Sequence, residues 1–408
     1  MSHSQLVIVG GGPAGMVAGL LFARAGVQTL VLEKHSDFLR DFRGDTVHPS
    51  TIALFDELGL ADELLAREHD PVSDVSARIA GKSYTVADFS HLPVRHRFIA
   101  MMPQWHFLDF VSSVARRWPA FAVRMGAEVI GLTEADGRIT GVQLRDGETI
   151  TADLVIAADG RGSILRDAAG LPLKDLGAPI DVFWFRLPKA KLPGNQTMGL
   201  FAPGTVIAMI DRGDYWQCAF VFAKGGAGKI RADGIEAFRK RVARVMPELA
   251  DSVSAIASWD DVKLLSVSLD RLTRWSRPGL LAIGDAAHAM SPVGGVGINL
   301  AVQDAVAAAN ILAGPMAEGQ GVDALLDKVR KRRMLPTRII QGLQRIAHER
   351  ILGPALTADV TDLTAPWQLK LLNGFPLLQR IPARLLGLGV RRENIRSPEA
   401  AGRERPAG

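Results

Sequence analysis

Between Gln5 and Lys34 the chain reads as a strand, a glycine loop, a helix, a second strand and an acid, and no other stretch restricts the fold as much. Gln5 to Val9 is an apolar, β-branched run that stops at Gly10-Gly11-Gly12-Pro13-Ala14-Gly15. The following MVAGLLFARAG has helical apolar spacing and ends at Gly26, and Val27 to Leu32 is a second buried strand leading to Glu33 and Lys34. In such a G-x-G-x-x-G loop, Gly10 makes the tight turn and Gly12 admits a pyrophosphate to the helix N-terminus. Gly15 lets the helix pack closely on the strand. Glu33, at the end of the second strand, is placed to accept hydrogen bonds from ribose hydroxyls. The unit predicts a bound dinucleotide. By itself it does not separate FAD from NAD.

A second stretch, Gly279 to Asp304, delivers another polarised edge. Leu280 to Ile283 is a short apolar strand that ends at Gly284-Asp285, which puts one carboxylate at its C-terminal end. Downstream, Pro292 precedes Gly294, Gly295 and Gly297, and Ile298 opens an Ala-rich helix. The first N–H groups of that helix and its dipole favour something negatively polarised against Gly295 to Asn299, and the glycines let a flat ring approach the backbone. A third acid-glycine junction, Asp159-Gly160-Arg161-Gly162-Ser163, follows the apolar run Leu154 to Ala158, with Arg166 one turn on.

At 408 residues the chain needs more than one core. With 48% hydrophobic and 22% charged residues it has the composition of a globular protein, and a formal charge of +5 with no Lys/Arg cluster interleaved with aromatics excludes a nucleic-acid surface. The one cysteine, Cys218, sits in an apolar strand and reads as a buried, inert thiol. The N-terminus has no signal-peptide pattern, and Arg24, Asp285 and His288 interrupt the longest apolar runs, so no transmembrane span and a cytoplasmic location are expected. His48, His69, His91, His96 and His106 lack metal-ligand spacing and read as structural or surface residues; no metal is expected.

The predicted fold class is α/β. A Rossmann-like, glutathione-reductase-type dinucleotide domain is expected over 1–70, 103–170 and 276–320. A discontinuous sheet domain for substrate is expected over 71–102 and 171–275, a helical C-terminal segment over 321–396, and a disordered tail over 397–408. Val72 to Phe89 reads as a hairpin around Ala80-Gly81-Lys82, Met102 to Arg117 as a helix with Gln104 in its first turn, and Glu128 to Ala152 as a meander of three strands. Arg43 precedes a helix marked by Pro49-Ser50 and is placed either to reach a phosphate or to pair with Asp41 or Asp45. Trp184, Phe185, Phe201, Tyr215 and Trp216 are either plain core or the lining of an apolar pocket. The segment bearing Trp367, Leu371, Phe375, Leu377, Leu385 and Leu388 is expected to pack on the sheet domain, with a membrane surface as the alternative.

GGGPAG with Glu33, ADGRGSILR at 158–166 and GDAAHAMSPVGGVGINLAVQDA at 284–305 together resemble the FAD-dependent aromatic hydroxylases. This single-component monooxygenase class includes para-hydroxybenzoate hydroxylase and the ubiquinone-biosynthesis hydroxylases. The resemblance implies that Gly10, Gly12, Pro13, Ala14, Gly15, Glu33 and Lys34 hold the ADP half of FAD, with Arg43 and Gln104 near its phosphates or ribityl chain. It implies that Asp285 binds the ribityl chain, that Pro292 and Gly295 to Asn299 (Gly297 and Ile298 included) flank the isoalloxazine, and that Asp159 and Gly160 serve FAD and NAD(P)H. The implied chemistry is NAD(P)H reduction, O₂ addition as a flavin C4a-hydroperoxide and oxygen transfer to an electron-rich aromatic or quinol-like ring. Pro292, Gly295 and Asn299 are the positions against the reacting ring.

No second G-x-G-x-x-G exists in the chain, which matches a transiently bound NADPH or NADH. His288 is expected to hold the motif's turn rather than to act as an acid or base. Only Tyr84 and Tyr215 are available for a phenol relay, so benzoate specificity is not supported, and the Trp-x-Trp-x-Ile-Pro signature of flavin halogenases is missing. The alternatives are a flavin-dependent reductase of isoprenoid double bonds and a non-catalytic flavin redox sensor. A homodimer and a weak peripheral membrane contact stay open.

Overall fold

The computed structural model describes residues 2–39, 46–79, 81–189, 198–357 and 364–400. Arg43 and Ala80 therefore lie outside the described residues. In chain order, β1 (Ser2–Val9), α1 (Pro13–Arg24) and β2 (Thr29–Leu32) form the expected βαβ unit, and α2 (Pro49–Glu57) follows. A hairpin, β3 (Asp74–Ile79) and β4 (Lys82–Asp88), precedes α3 (Gln104–Ala115) and β5 (Phe121–Arg124). The meander is β6 (Val129–Ala135), β7 (Arg138–Leu144) and β8 (Thr149–Ala157), followed by the short α4 (Ile164–Ala168). The sequence suggests a break between Thr149–Ala152 and Leu154–Ala158. The two are one strand, β8, whose first half pairs antiparallel with β7 while its length runs parallel to β1.

After α4 come β9 (Ile180–Pro188), β10 (Met198–Ala202), β11 (Thr205–Asp211) and β12 (Tyr215–Ala223), then α5 (Ile235–Val245) and β13 (Lys263–Leu265). The chain returns through β14 (Leu280–Ala282) to α6 (Gly297–Ala317) and α7 (Leu326–Ala347). β13 pairs with β9, and Asp270–Leu272 pairs with Leu173–Asp175.

Two sheets result. The first runs Ser276–Arg277, β14, β8, β1, β2, β5, with β7 and β6 added beyond β8. Its central pairings, β14 with β8, β8 with β1, β1 with β2 and β2 with β5, are all parallel, so the loops after β1, β8 and β14 emerge at one edge. The second runs β13, β9, β12, β11, β10, β3, β4 and takes its last two strands from the early hairpin. α6, whose apolar length alone would let it cross a membrane, is a core helix: 83% of that window is buried. It packs with α1 around Val302, Ala305 and Val306.

The C-terminal segment forms α8 (Gly353–Thr357), α9 (Trp367–Gly374) and α10 (Arg380–Gly387). Its inner faces rest on the hairpin: Leu369 packs with Ala77 and Ile79, and Ala383 with Phe89 and Leu92. The disordered tail expected from 397 is ordered at its start, because the Arg24 guanidinium donates to the Ser397 carbonyl at 3.0 Å and the Ala400 N–H donates to the Arg24 carbonyl at 2.9 Å. Cys218 is fully buried, and burial pushes its thiol pKa far up, as expected of an inert side chain.

Candidate functional site

The three glycines of the first loop have different reasons to be glycine. Gly10 has φ +108°, and a Cβ there would lie 2.3 Å from the Ala158 carbonyl oxygen, since β8 runs alongside. A Cβ on Gly15 would lie 2.0 Å from the Gly10 carbonyl oxygen. A Cβ on Gly12 would meet nothing within 4 Å, so the protein leaves open the side on which a ligand would approach the N-terminus of α1. Pro13 opens that helix and Ala14 is buried against it. Glu33 is buried, its Oε2 accepting the Gly11 N–H at 2.8 Å and its Oε1 the His35 N–H at 3.0 Å, while Lys34 beside it is exposed.

The loops after β8 and β14 are tied together. Ser163 donates its hydroxyl to Asp159 at 2.5 Å and caps α4 through the Arg166 N–H. Burial pushes the Asp159 carboxyl pKa up. Gly160 has φ +86° and open space around it. The residue after it, Arg161, donates Nε to Asp285 Oδ2 at 3.1 Å. Both side chains of this pair are about one-third exposed, at 34% and 32%, so their attraction is screened and a ligand's hydroxyls can replace it at little cost. Gly284 is wedged between α1 and α6: a Cβ there would meet Ala14 at 3.0 Å and Ala301 at 3.3 Å.

Pro292 leads into a 3-10 turn, Val293–Gly295, in which Gly294 and Gly295 have φ +82° and +62°. Gly297 and Ile298 begin α6, and the opening N–H groups have no partner within the helix. The side chain of Asn299 is committed elsewhere, its Oδ1 accepting Ser50 Oγ–H at 2.7 Å and Thr51 Oγ1–H at 2.8 Å from α2. The Gly295 carbonyl accepts from Thr46 Oγ1 at 2.6 Å and faces His48 Nε2 at 3.0 Å. Gln104 stands half-buried at the start of α3.

Behind this turn lies a buried ionic network. His288 Nε2 meets Asp304 Oδ2 at 2.6 Å, the same oxygen accepts the Gly284 N–H at 3.1 Å, and Arg333 Nε donates to Asp304 Oδ1 at 2.9 Å. Burial raises the Asp304 carboxyl pKa, but His288 and Arg333 outweigh it and hold it below the usual range. His288 thus ties the turn after β14 to α6 and α7, away from the open edge. Ser291 is held by Gln344 and lies 2.8 Å from His348 Nε2, where α7 widens into a π turn, His348–Leu352. Burial pushes the His348 pKa down, and its Nδ1 is buried with no partner.

Val293 also touches the second sheet. Val293, like Trp184, Phe201, Ala208 and Leu265 of that sheet, borders one apolar cluster that contains buried Val182, Val206, Leu352 and Ala355. The buried indole N–H of Trp184 has no hydrogen-bond partner. Strand alternation sends Phe183 and Phe185 to the opposite face, where they form a core with Trp216, Phe220 and Phe238 under α5. Of the five aromatics singled out from sequence, Phe185 and Trp216 are therefore plain core, Tyr215 lies under the Arg186 guanidinium at 5.0 Å, and Trp184 and Phe201 neighbour the Val293 turn. Among the described residues no group of His, Cys, Asp and Glu could hold a metal ion.

A parallel sheet whose adjacent edge loops carry a dinucleotide fingerprint and a helix-capped glycine turn, set against a second sheet, defines a flavoprotein of the FAD-dependent monooxygenase class. The comparisons agree. A family profile described as "FAD binding domain" matches residues 3–342, and the chain belongs to that family. It is 32% identical to a 6-methylpretetramide 4-monooxygenase of Streptomyces rimosus over 394 residues, covering 94% of this chain and 92% of that protein. It is 23% identical to the 3-demethoxyubiquinol 3-hydroxylase of Escherichia coli (strain K12), covering 83% of this chain and 88% of the relative. Among solved structures, pqsL of Pseudomonas aeruginosa, a probable FAD-dependent monooxygenase, superposes with a TM-score of 0.75 at 20% identity, covering 88% of this chain and 100% of that one. The anhydrotetracycline hydroxylase OxyS from Streptomyces rimosus superposes with a TM-score of 0.71 at 22% identity, covering 96% of this chain and 77% of that one. The protein is an FAD-dependent monooxygenase.

Proposed function

We propose that this enzyme uses NAD(P)H and O₂ to hydroxylate a fused-ring, polyketide-type phenol, with a quinol as the second candidate. The observation that carries the reading is the one apolar cluster that both the Val293 turn and the Trp184–Phe201 face of the second sheet pack against, with a buried, unpartnered indole N–H at its border. A wide aromatic substrate suits the apolar wall, and a ring oxygen suits the indole N–H. The substrate class of the 32% identical relative supports the same choice.

In this reading the loop from Gly10 to Gly15 with Glu33 and Lys34 holds the adenosine diphosphate, with Arg43 and Gln104 beside the phosphates or ribityl chain. Asp285 exchanges its Arg161 partner for ribityl hydroxyls, and Asp159 and Gly160 border both nucleotides. Gly297, Ile298 and Asn299 present the free backbone N–H groups of the first turn and the α6 dipole to the flavin ring, where they stabilise negative charge, and Pro292 and Gly295, whose N–H is donated to the Pro292 carbonyl at 3.0 Å, shape the turn beside it. When bound, FAD supplies hydride acceptance from NAD(P)H and activation of O₂. The protein's part is to bind, orient and exclude water. Ser291 Oγ accepts the Val293 N–H at 3.3 Å and lies 2.8 Å from His348 Nε2, which fixes the entry of the turn.

A cytoplasmic supply of NAD(P)H suits this cycle. The test is flavin reduction in the purified protein by NADPH and NADH, with and without pools of polyketide phenols and quinols. Stimulation by the polyketide pool, coupled to O₂ uptake and a hydroxylated product, is the expected outcome. Reduction that ignores every aromatic would sink the reading.

A further inference from the structure

The C-terminal helices expose an apolar face. Trp367 is 68% exposed, Phe375 60%, Leu377 68% and Ile381 60%, all between the start of α9 and the first turn of α10. Such a cluster is uncommon on a surface that meets only water. The exposure follows from how the segment is anchored: Leu369 and Ala383 hold the opposite faces of α9 and α10 to the hairpin β3–β4 and its flank, so this face points away from the chain. Between the helices lies an open groove of about 610 Å³ lined by Leu371, Phe375, Pro376, Leu377 and Leu378, with Gly374 at its edge.

Charge says what covers it. Lys370, Arg380 and Arg384 are exposed around this face, and from Thr364 to Val390 the sequence contains no Asp or Glu. None of the three makes an ion pair among the described residues. A second copy of the chain docked through the same patch about a two-fold axis would bring three cations against three, which disfavours a dimer. An anionic lipid surface meets both halves of the pattern: headgroups face the cations, while the indole of Trp367 and the side chains of Phe375, Leu377 and Ile381 enter the headgroup–acyl boundary. We infer that α9 and α10 form a peripheral docking site for an anionic bilayer. This goes beyond the hydroxylase reading and does not depend on it. The site also reaches the flavin loop, because the Leu386 carbonyl of α10 contacts His48 Nδ1 at 2.7 Å and the other nitrogen of that ring faces Gly295.

The experiment is co-sedimentation of the FAD-loaded full chain with phosphatidylcholine vesicles, with and without phosphatidylglycerol. Binding only to the anionic vesicles, weakened by salt, is expected. R380Q/R384Q should lower the partition coefficient about twenty-fivefold, roughly fivefold for each cation lost. F375S/L377S should abolish binding while flavin content stays that of the parent, which shows that the fold is intact. Failure of the parent to sediment with anionic vesicles overturns the inference, as does retention of full binding by both variants. Loss of a dimer in F375S/L377S, with no vesicle binding by the parent, would reassign the face to self-association.

Discussion

The imidazole of fully buried His48 faces the Gly295 carbonyl at 3.0 Å through one nitrogen and the Leu386 carbonyl at 2.7 Å through the other, which joins the Val293–Gly295 turn to α10. A neutral ring has only one N–H for these two acceptors. Burial nevertheless pushes its pKa below 6.5, against the pull of the two carbonyls, and burial acts the same way on His348 behind Ser291. Both rings are therefore neutral in the folded protein near neutrality. As pH falls through 6.5 the unfolded chain takes up protons that the folded chain does not, so stability present above the unfolded value is lost on acidification. The melting temperature and flavin retention should decline between about pH 7.5 and about pH 5.5. H48Q/H348Q should flatten that slope, and a melting temperature that rises on acidification would contradict the assignment.

Gly12 and Gly15 should part company on replacement by alanine. A methyl on Gly15 meets backbone oxygen at 2.0 Å, so G15A should fail to fold or lose several kcal/mol, of the order of about 3. The G12A methyl meets no protein atom within 4 Å, so the flavin-free protein should melt within about 0.5 kcal/mol of the parent. Its FAD affinity should nevertheless fall at least about tenfold, a loss of about 1.4 kcal/mol. Flavin fluorescence titration of refolded G12A decides this. Unchanged affinity would mean that the phosphates do not approach Gly12.

Asp304 is the hinge of the buried network. D304N turns one of the two carboxylates on the Arg333 guanidinium, 2% exposed, into a neutral amide and should cost up to about 3–5 kcal/mol in urea unfolding. D304N/R333M should recover much of that, since a buried pair is costly mainly when broken from one side. Equal losses in the single and double variants would show that Arg333 is held by Glu393 and the Arg391 carbonyl without need of Asp304.

The parallel sheet and its edge loops were legible because they rest on local rules: short buried strands, glycine at positive φ and an acid at a strand end. Gly10 and Gly15 can be recognised as a tight turn and a tight packing point from spacing alone, whereas Gly284 shows in sequence only as a strand end, its contacts with Ala14 and Ala301 being set by how α1 and α6 meet. His48, Ser50 and Thr51 could not, because their partners Gly295 and Asn299 lie more than two hundred positions away and nothing in the HPST tetrapeptide signals a buried polar contact. Arg161 was visible inside its motif, but its pairing with Asp285 depends on β8 and β14 being neighbours. In the second sheet, alternation separates Trp184 from Phe183 and Phe185, yet which face meets the flavin loop is decided by where Val293 lands.

Trp184 offers the sharpest test of the substrate wall. Its indole N–H is buried with no acceptor, and such a group costs the free enzyme up to about 1–3 kcal/mol. W184F keeps an aromatic ring against the cluster that Phe201 and Val293 also border but removes that donor. If the N–H exists for a substrate oxygen, the variant should melt at the parent's temperature or higher while KM for the aromatic substrate rises about fivefold to tenfold, the worth of one hydrogen bond. kcat at saturation should change little, because the contact holds the ring in the ground state and the transition state alike. The opposite pattern, a lower melting temperature with KM unchanged, would mean that Trp184 is ordinary core and that the substrate meets the second sheet elsewhere.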